Sequence, residues 1–420
     1  GSAKSTSSIT IADADAFIII DGTTTKQIPA SDLSTYISGA GGVGVISGGT
    51  GNTAIGSSAL DSMSGDDADY NTALGFNALT ALTTGDENIA IGYEALKACT
   101  VNSGNIAIGY NALKSLDTTN ASNSNNNIAI GSQALESLDG GSYCGNNLAI
   151  GDQAGKSLVE PSSGSGTSQN IFIGNLAGST ATTSSENVCM GYASGGYGIS
   201  SGNTTGSFNT FVGSYSGNAL STGTYNTGTG RTAGHDITSG SNNLFLGYDA
   251  GRSGSPGGAQ TTGSNEIFLG DENITASNIQ VDWTVASDER DKTDFTALDL
   301  GLSFVNSLKP YTYKWDKRIK YVDKTKEDWN KDLDLNTITH DGTHKEDWLD
   351  IGFKAQEVEA LEKDAGYKIA DKTNLTTSLS SDGKQYGIKY SNFVPILVKA
   401  LQELSAKNDA LEARIKTLEG

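Results

Sequence analysis

Ser287 and Lys292 place a hydroxyl and an amine five residues apart in the segment 287–292, with Asp288 and Arg290 between them. These are the ingredients of base-assisted nucleophilic chemistry, although the pair taken alone reads as a solvated turn. The other candidates carry less. His340 and His344 stand four apart beside Asp341 and Asp347, a spacing that suits a metal on a helix, but Gly342 interrupts that helix and the stretch from about Lys317 to Asp347 reads as a charged surface insertion. Asp66, Asp67 and Asp69 lack a glycine-rich calcium-repeat pattern and read as a solvated loop. Cys99, Cys144 and Cys189 are odd in number and without C-x-x-C spacing, so they count as small apolar residues. No carboxylate pair suited to glycoside hydrolysis is found, and no glycosidase is predicted.

The elements that must hold such groups are set by composition. Glycine supplies 53 of 420 residues and charged side chains 18%, which excludes an ordinary helical globule, while 36% apolar residues is too many for a disordered tail. A net charge of −20, with five Lys or Arg in residues 41–270, argues against a nucleic-acid partner. No apolar run of 18 residues and no leader pattern occur, so a soluble chain without membrane insertion is expected. Gly1-Ser2 reads as a vector remnant.

From about Gly44 the chain repeats itself: Asn, three mostly apolar residues, then Gly, as in NTAIG at 52, NIAIG at 88, 105 and 127, NIFIG at 170 and NLFLG at 243. The closing glycines, Gly56 to Gly270, are spaced by 17 or by 19 to 23 residues, the excess falling in Ser/Asn/Gly/Thr loops. A strand so short is stable only when stacked on its neighbour, which makes a β-solenoid. Glycine suits a positive φ where the chain leaves the strand, and Asn suits a turn or a side-chain ladder at its start. A second piece, YEAL or SQAL early and NLAG or YDAG later, closes the coil. The middle strand residue takes one face and its two neighbours the other, and neither face looks wet. One face is expected to fill the coil and the other to meet neighbouring chains around a threefold axis. Over residues 44–271 the motif resembles the head repeats of trimeric autotransporter adhesins, which are left-handed parallel β-rolls.

After Asp271 the composition changes, and Trp283, Trp315, Trp329 and Trp348 all lie beyond it. SDERDK at 287 with LSFVNSLKPYTYKW at 302, DIGFKAQEVEAL at 350 and YGIKYSNFVPILVKALQEL at 386 together resemble the self-cleaving intramolecular chaperone of phage endosialidase tail spikes. The resemblance implies trimerisation and folding of the preceding shaft, then cleavage of the Ala286–Ser287 bond. It implies Ser287 as nucleophile and Lys292 as general base, with Asp288 and Arg290 as motif support. A lysine serves as base only when neutral, through burial or a cationic neighbour. Arg290 is such a cation, and equally a partner for Asp288. The reaction runs once per chain, so neither substrate pocket nor cofactor nor metal is expected.

Val394, Leu397, Leu401, Leu404, Asn408, Leu411, Ile415 and Leu418 alternate steps of three and four, a heptad seam that predicts a trimeric coiled coil, with a helix packed on its own domain as the other reading. Asn408 would fix its register. The expected organisation is a mainly β protein: an N-terminal hairpin and connector (1–43), a repetitive β-solenoid shaft (44–271), a linker (272–286), an α+β chaperone domain (287–393) and the coiled-coil helix (394–420). The expected role is a homotrimeric phage tail fibre or spike on the virion, made in the host cytoplasm, whose partner is a host-cell surface receptor or glycan. A trimeric bacterial surface adhesin with a non-cleaving C-terminal clamp is the competing expectation.

Overall fold

The computed structural model describes residues 16–21, 24–29, 43–44 and 49–420, apart from 64–66, 117–123, 140–143, 160–166, 198–202, 326–328 and 330–332. It divides into two compact units, one of residues 1–244 with 264–266 and one of 245–263 with 267–420.

In the first unit β1 (Ala16–Asp21) and β2 (Thr24–Pro29) pair antiparallel as a hairpin around the Asp-Gly turn signal. The sequence also predicts a turn of helix starting at Ser31, which lies outside the described residues. After β3 (Val43–Gly44) come β4 (Thr53–Ile55), β5 (Thr72–Leu74), β6 (Ile89–Ile91), β7 (Ile106–Ile108), β8 (Ile128–Ile130), β9 (Leu148–Ile150), β10 (Ile171–Ile173), β11 (Val188–Met190), β12 (Thr210–Val212) and β13 (Thr227–Thr229). From β4 onward they stack in chain order as a parallel ladder, the β-solenoid expected from the repeat.

Each strand has three residues, and what stabilises it lies in the flanking positions. The strand-opening asparagines form a buried ladder: the side-chain amide of each donates to the amide oxygen of the one before, from Asn88 to Asn71 at 3.0 Å through Asn127 to Asn105 at 3.1 Å and on to Asn226 to Asn209 at 3.1 Å. The backbone N–H of the same residue reaches the same oxygen, as Asn127 does to Asn105 at 2.9 Å. Each oxygen thus satisfies two buried donors, each costly to leave unmade. At the other end, Gly92 has φ +133°, and a Cβ there would stand 2.4 Å from the carbonyl oxygen of Gly109 on the next coil. The glycine therefore serves both backbone angle and coil spacing.

The middle residues, such as Ala73, Ala90, Phe172 and Phe211, are buried, and the flanking residues stay half-exposed. A fully buried Phe or Leu here contributes about 2–3 kcal/mol. Four residues past each closing glycine the backbone again turns left-handed, at φ +49° for Leu96 and +59° for Gly178. From Ala54 to Ala129 the strand's Ala goes with Leu at the turn, Ala149 goes with Gly155, and Phe172 and Phe211 go with Gly178 and Gly217. A Cβ at Gly178 would lie 2.5 Å from the Phe172 ring, and one at Gly217 2.5 Å from Phe211. The three cysteines are buried in the coil interior and none forms a disulfide, and burial pushes the Cys189 thiol up to about 12.

The last two repeats are carried by β14 (Leu244–Leu246), which enters the second unit at Phe245, and β15 (Ile267–Leu269), with Phe245 stacked on Phe268 at 5.2 Å. Downstream, α1 (Leu302–Ser307), β16 (Tyr311–Tyr313), β17 (Asp350–Gly352), α2 (Ala355–Asp364), β18 (Thr377–Leu379), β19 (Tyr386–Ile388) and α3 (Phe393–Glu419) follow. β16 pairs antiparallel with β17 and β18 with β19. Leu300, Phe304, Val358, Phe393 and Ile396 form its core. Beside it Glu362 is buried and accepts from Leu375 N, Thr376 N, Thr376 Oγ1 and Thr377 Oγ1, so four donors balance one buried carboxylate.

Candidate functional site

Before the Ser287 motif the chain is extended. Ile279, Val281, Trp283 and Val285 alternate with polar or small residues and are 52–80% exposed. Asp288 then starts a single 3-10 turn, Glu289–Asp291, by accepting the Arg290 N–H at 2.9 Å. The turn brings Lys292 back over its own start: Nζ lies 2.6 Å from Ser287 Oγ and donates to it. The five-residue spacing thus delivers amine to hydroxyl without help from another element.

Between the two readings open to Arg290, the structure places its guanidinium on Asp288, with Nε to Oδ1 at 3.0 Å and an Nη to Oδ2 at 2.6 Å. That paired contact holds the Asp288 carboxyl below its ordinary value and raises Arg290. Arg290 is engaged away from the amine. Ser287, Asp288, Arg290 and Lys292 are all exposed, so within one chain no side chain excludes water from the pair.

The segment is tied to the domain through α1. Glu403 on α3 accepts the Leu302 N–H at 2.8 Å, which satisfies a first-turn donor of α1 and lowers the Glu403 carboxyl. α3 itself has two faces. Phe393, Ile396 and Ala400 are buried on the domain core. Val394, Leu397, Leu401, Leu404, Leu411, Ile415 and Leu418 are 50–79% exposed, and Asn408 donates to Glu412 at 3.2 Å within the helix. The helix thus packs on its own domain through one face, while the heptad seam lies on the other, exposed face.

His344 packs edge-on against Tyr321 at 4.6 Å, while His340 is exposed. Among the described residues no group of three His, Cys, Asp or Glu is placed to hold a metal ion. Asp66 lies outside those residues, and Asp69 accepts the Thr50 N–H at 2.5 Å. The stretch read as a charged surface insertion is not wholly surface: Ile319 and Leu335 are buried, and Lys317, Lys320 and Lys324 are engaged by acids. The isolated apolar residues within that charged run were the available signal.

Residues 287–367 match the family model of the chaperone of endosialidase, a peptidase family. No curated protein and no solved structure matches the chain.

Proposed function

Proceeding from a segment that matches the chaperone of endosialidase and the β-solenoid ahead of it, we propose that this is a homotrimeric phage tail fibre or spike that cuts itself once, before Ser287. The C-terminal part templates assembly of the shaft, which is carried on the virion and meets a receptor or glycan of the host surface. The observation that carries this reading is the 2.6 Å approach of Lys292 Nζ to Ser287 Oγ at the first residue of the matched segment.

With the amine neutral the contact reverses and Ser287 donates its proton to Lys292. Oγ attacks the Ala286 carbonyl carbon, an O–C bond forms as the Ala286–Ser287 C–N bond breaks, and the proton passes from Lys292 to the departing Ser287 amine. Water then hydrolyses the ester.

A neutral amine needs surroundings drier than a single chain provides. Three parallel copies that covered the exposed period-two apolar residues ahead of the bond and the open seam of α3 would supply those surroundings and couple the cut to assembly. Three helices in register also lower the entropic cost of nucleating a parallel ladder that is otherwise slow to form.

Denaturing electrophoresis of freshly expressed protein tests the reading. A fragment of 134 residues, 287–420, is expected from the parent and absent in Ser287→Ala and in Lys292→Ala. An intact band at all times removes the proposal in favour of an adhesin with a clamp.

A further inference from the structure

Within the second unit, the coil that ends the repeats is gripped by side chains from beyond the proposed cut. Lys324 Nζ lies 2.7 Å from Glu272 Oε1 and 3.6 Å from Asp249 Oδ2. Lys317 donates to the Glu272 backbone carbonyl. Both acids are nearly buried, at 2% exposed for Asp249 and 7% for Glu272. Ile319, 3% exposed, fills the space over Gly254, where a Cβ would meet its Cγ1 at 2.1 Å. A second grip comes from Asp382, whose Oδ2 accepts the Ala259 N–H at 3.2 Å.

Every one of these contacts joins a residue between 249 and 272 to one between 317 and 382, and the Ala286–Ser287 bond lies between the two sets. In the ion pairs the shaft side contributes the acids Asp249 and Glu272 and the downstream side Lys324. We propose that the last coil is a docking surface for the downstream domain, with Lys324 as its latch, so that breaking the chain before Ser287 leaves the two pieces joined until the ion pairs are screened. The inference deepens the cleavage reading and rests on it for its biological occasion, though not for its physics. Opposite charges drawn together across a partly wet interface weaken with ionic strength, and three copies multiply a latch of modest strength in each chain. The cut would then be the arming step and separation a distinct, salt-sensitive one.

The test makes the break independently of self-cleavage. A recognition sequence for a site-specific protease is placed between residues 286 and 287 of the full Ser287→Ala chain, the chain is cut, and the pieces are run on size exclusion across a sodium chloride series. The pieces are expected to co-elute at about 0.05 M salt and to separate by about 1 M. Lys324→Gln is expected to lower the salt midpoint at least about threefold and Lys324→Arg to preserve it. Glu272→Gln, read alongside with circular dichroism, guards against misfolding of the lysine variant and is expected to lower the midpoint likewise. Separation of the parent pieces at the lowest salt, or one midpoint shared by parent, Lys324→Gln and Glu272→Gln, overturns the proposal. Failure of the unmodified chain to cut itself would count against the cleavage reading alone.

Discussion

The ring of Phe172 occupies the space that a side chain at Gly178 would need, the hypothetical Cβ lying 2.5 Å from it. In earlier coils the same two positions hold Ala90 and Leu96, so the coil interior keeps its volume while exchanging which element supplies it. Phe172→Ala should cost about 3–5 kcal/mol by leaving a cavity. Gly178→Leu should cost about 2–3 kcal/mol by overpacking, because leucine already adopts this left-handed backbone at Leu96 and geometry alone is no obstacle. The double variant should be more stable than the two losses added together, as read by denaturant unfolding, and strict additivity would refute the exchange.

Glu94 ties adjacent coils, with Lys97 and Lys114 each 2.7 Å from its carboxylate. The hydrogen bond from Lys114, then that from Lys97, lowers it from 4.5 to about 2. A depressed acid stabilises the fold fully above its unfolded value and loses that contribution as pH falls from about 4.5 toward 2. Glu94→Gln should therefore melt lower than the parent at pH 7, and the gap should close as pH approaches 2. A gap independent of pH would show that the ion pairs do not act.

Asp288 is a positioning residue, since it caps the turn that returns Lys292 to Ser287. Asp288→Ala should slow fragment release about fivefold, the equivalent of a cap of about 1 kcal/mol. Asp288→Asn should restore most of the rate, because the amide oxygen still accepts from the Arg290 N–H. Equal rates in all three chains would mean that the turn is held by something else.

The open seam of α3 is separable from its packed face. Leu404→Asp combined with Leu411→Asp should abolish the trimer in light scattering while leaving the Phe393 and Ile396 core and the domain's helical signal intact. A trimer that survives would place the assembly contact elsewhere.

What was legible in the sequence tracks sequence distance. The asparagine ladder and the left-handed glycines follow from a motif of five residues, and Ser287 meets Lys292 through one local turn. The exchange of Ala90 and Leu96 for Phe172 and Gly178 is written six residues apart in each coil, yet periodicity alone does not reveal that two positions share one volume. Lys324 and Glu272 are 52 residues apart and Asp382 and Ala259 are 123 apart, with no repeat to link them, so only folding brings them together.

The asparagine rungs carry one last consequence. Because Asn127 donates to Asn105 on one side of the column and accepts from Asn147 on the other, each rung meets just its two neighbouring rungs and the column has no preferred total length. Excising residues 89–105, one unit of 17, would join Asn88 to Ile106 with every remaining rung still answered, shortening the column by one strand spacing of about 4.8 Å. The molecule is in this sense a ruler with uniform graduations, on which reach evolves by counting.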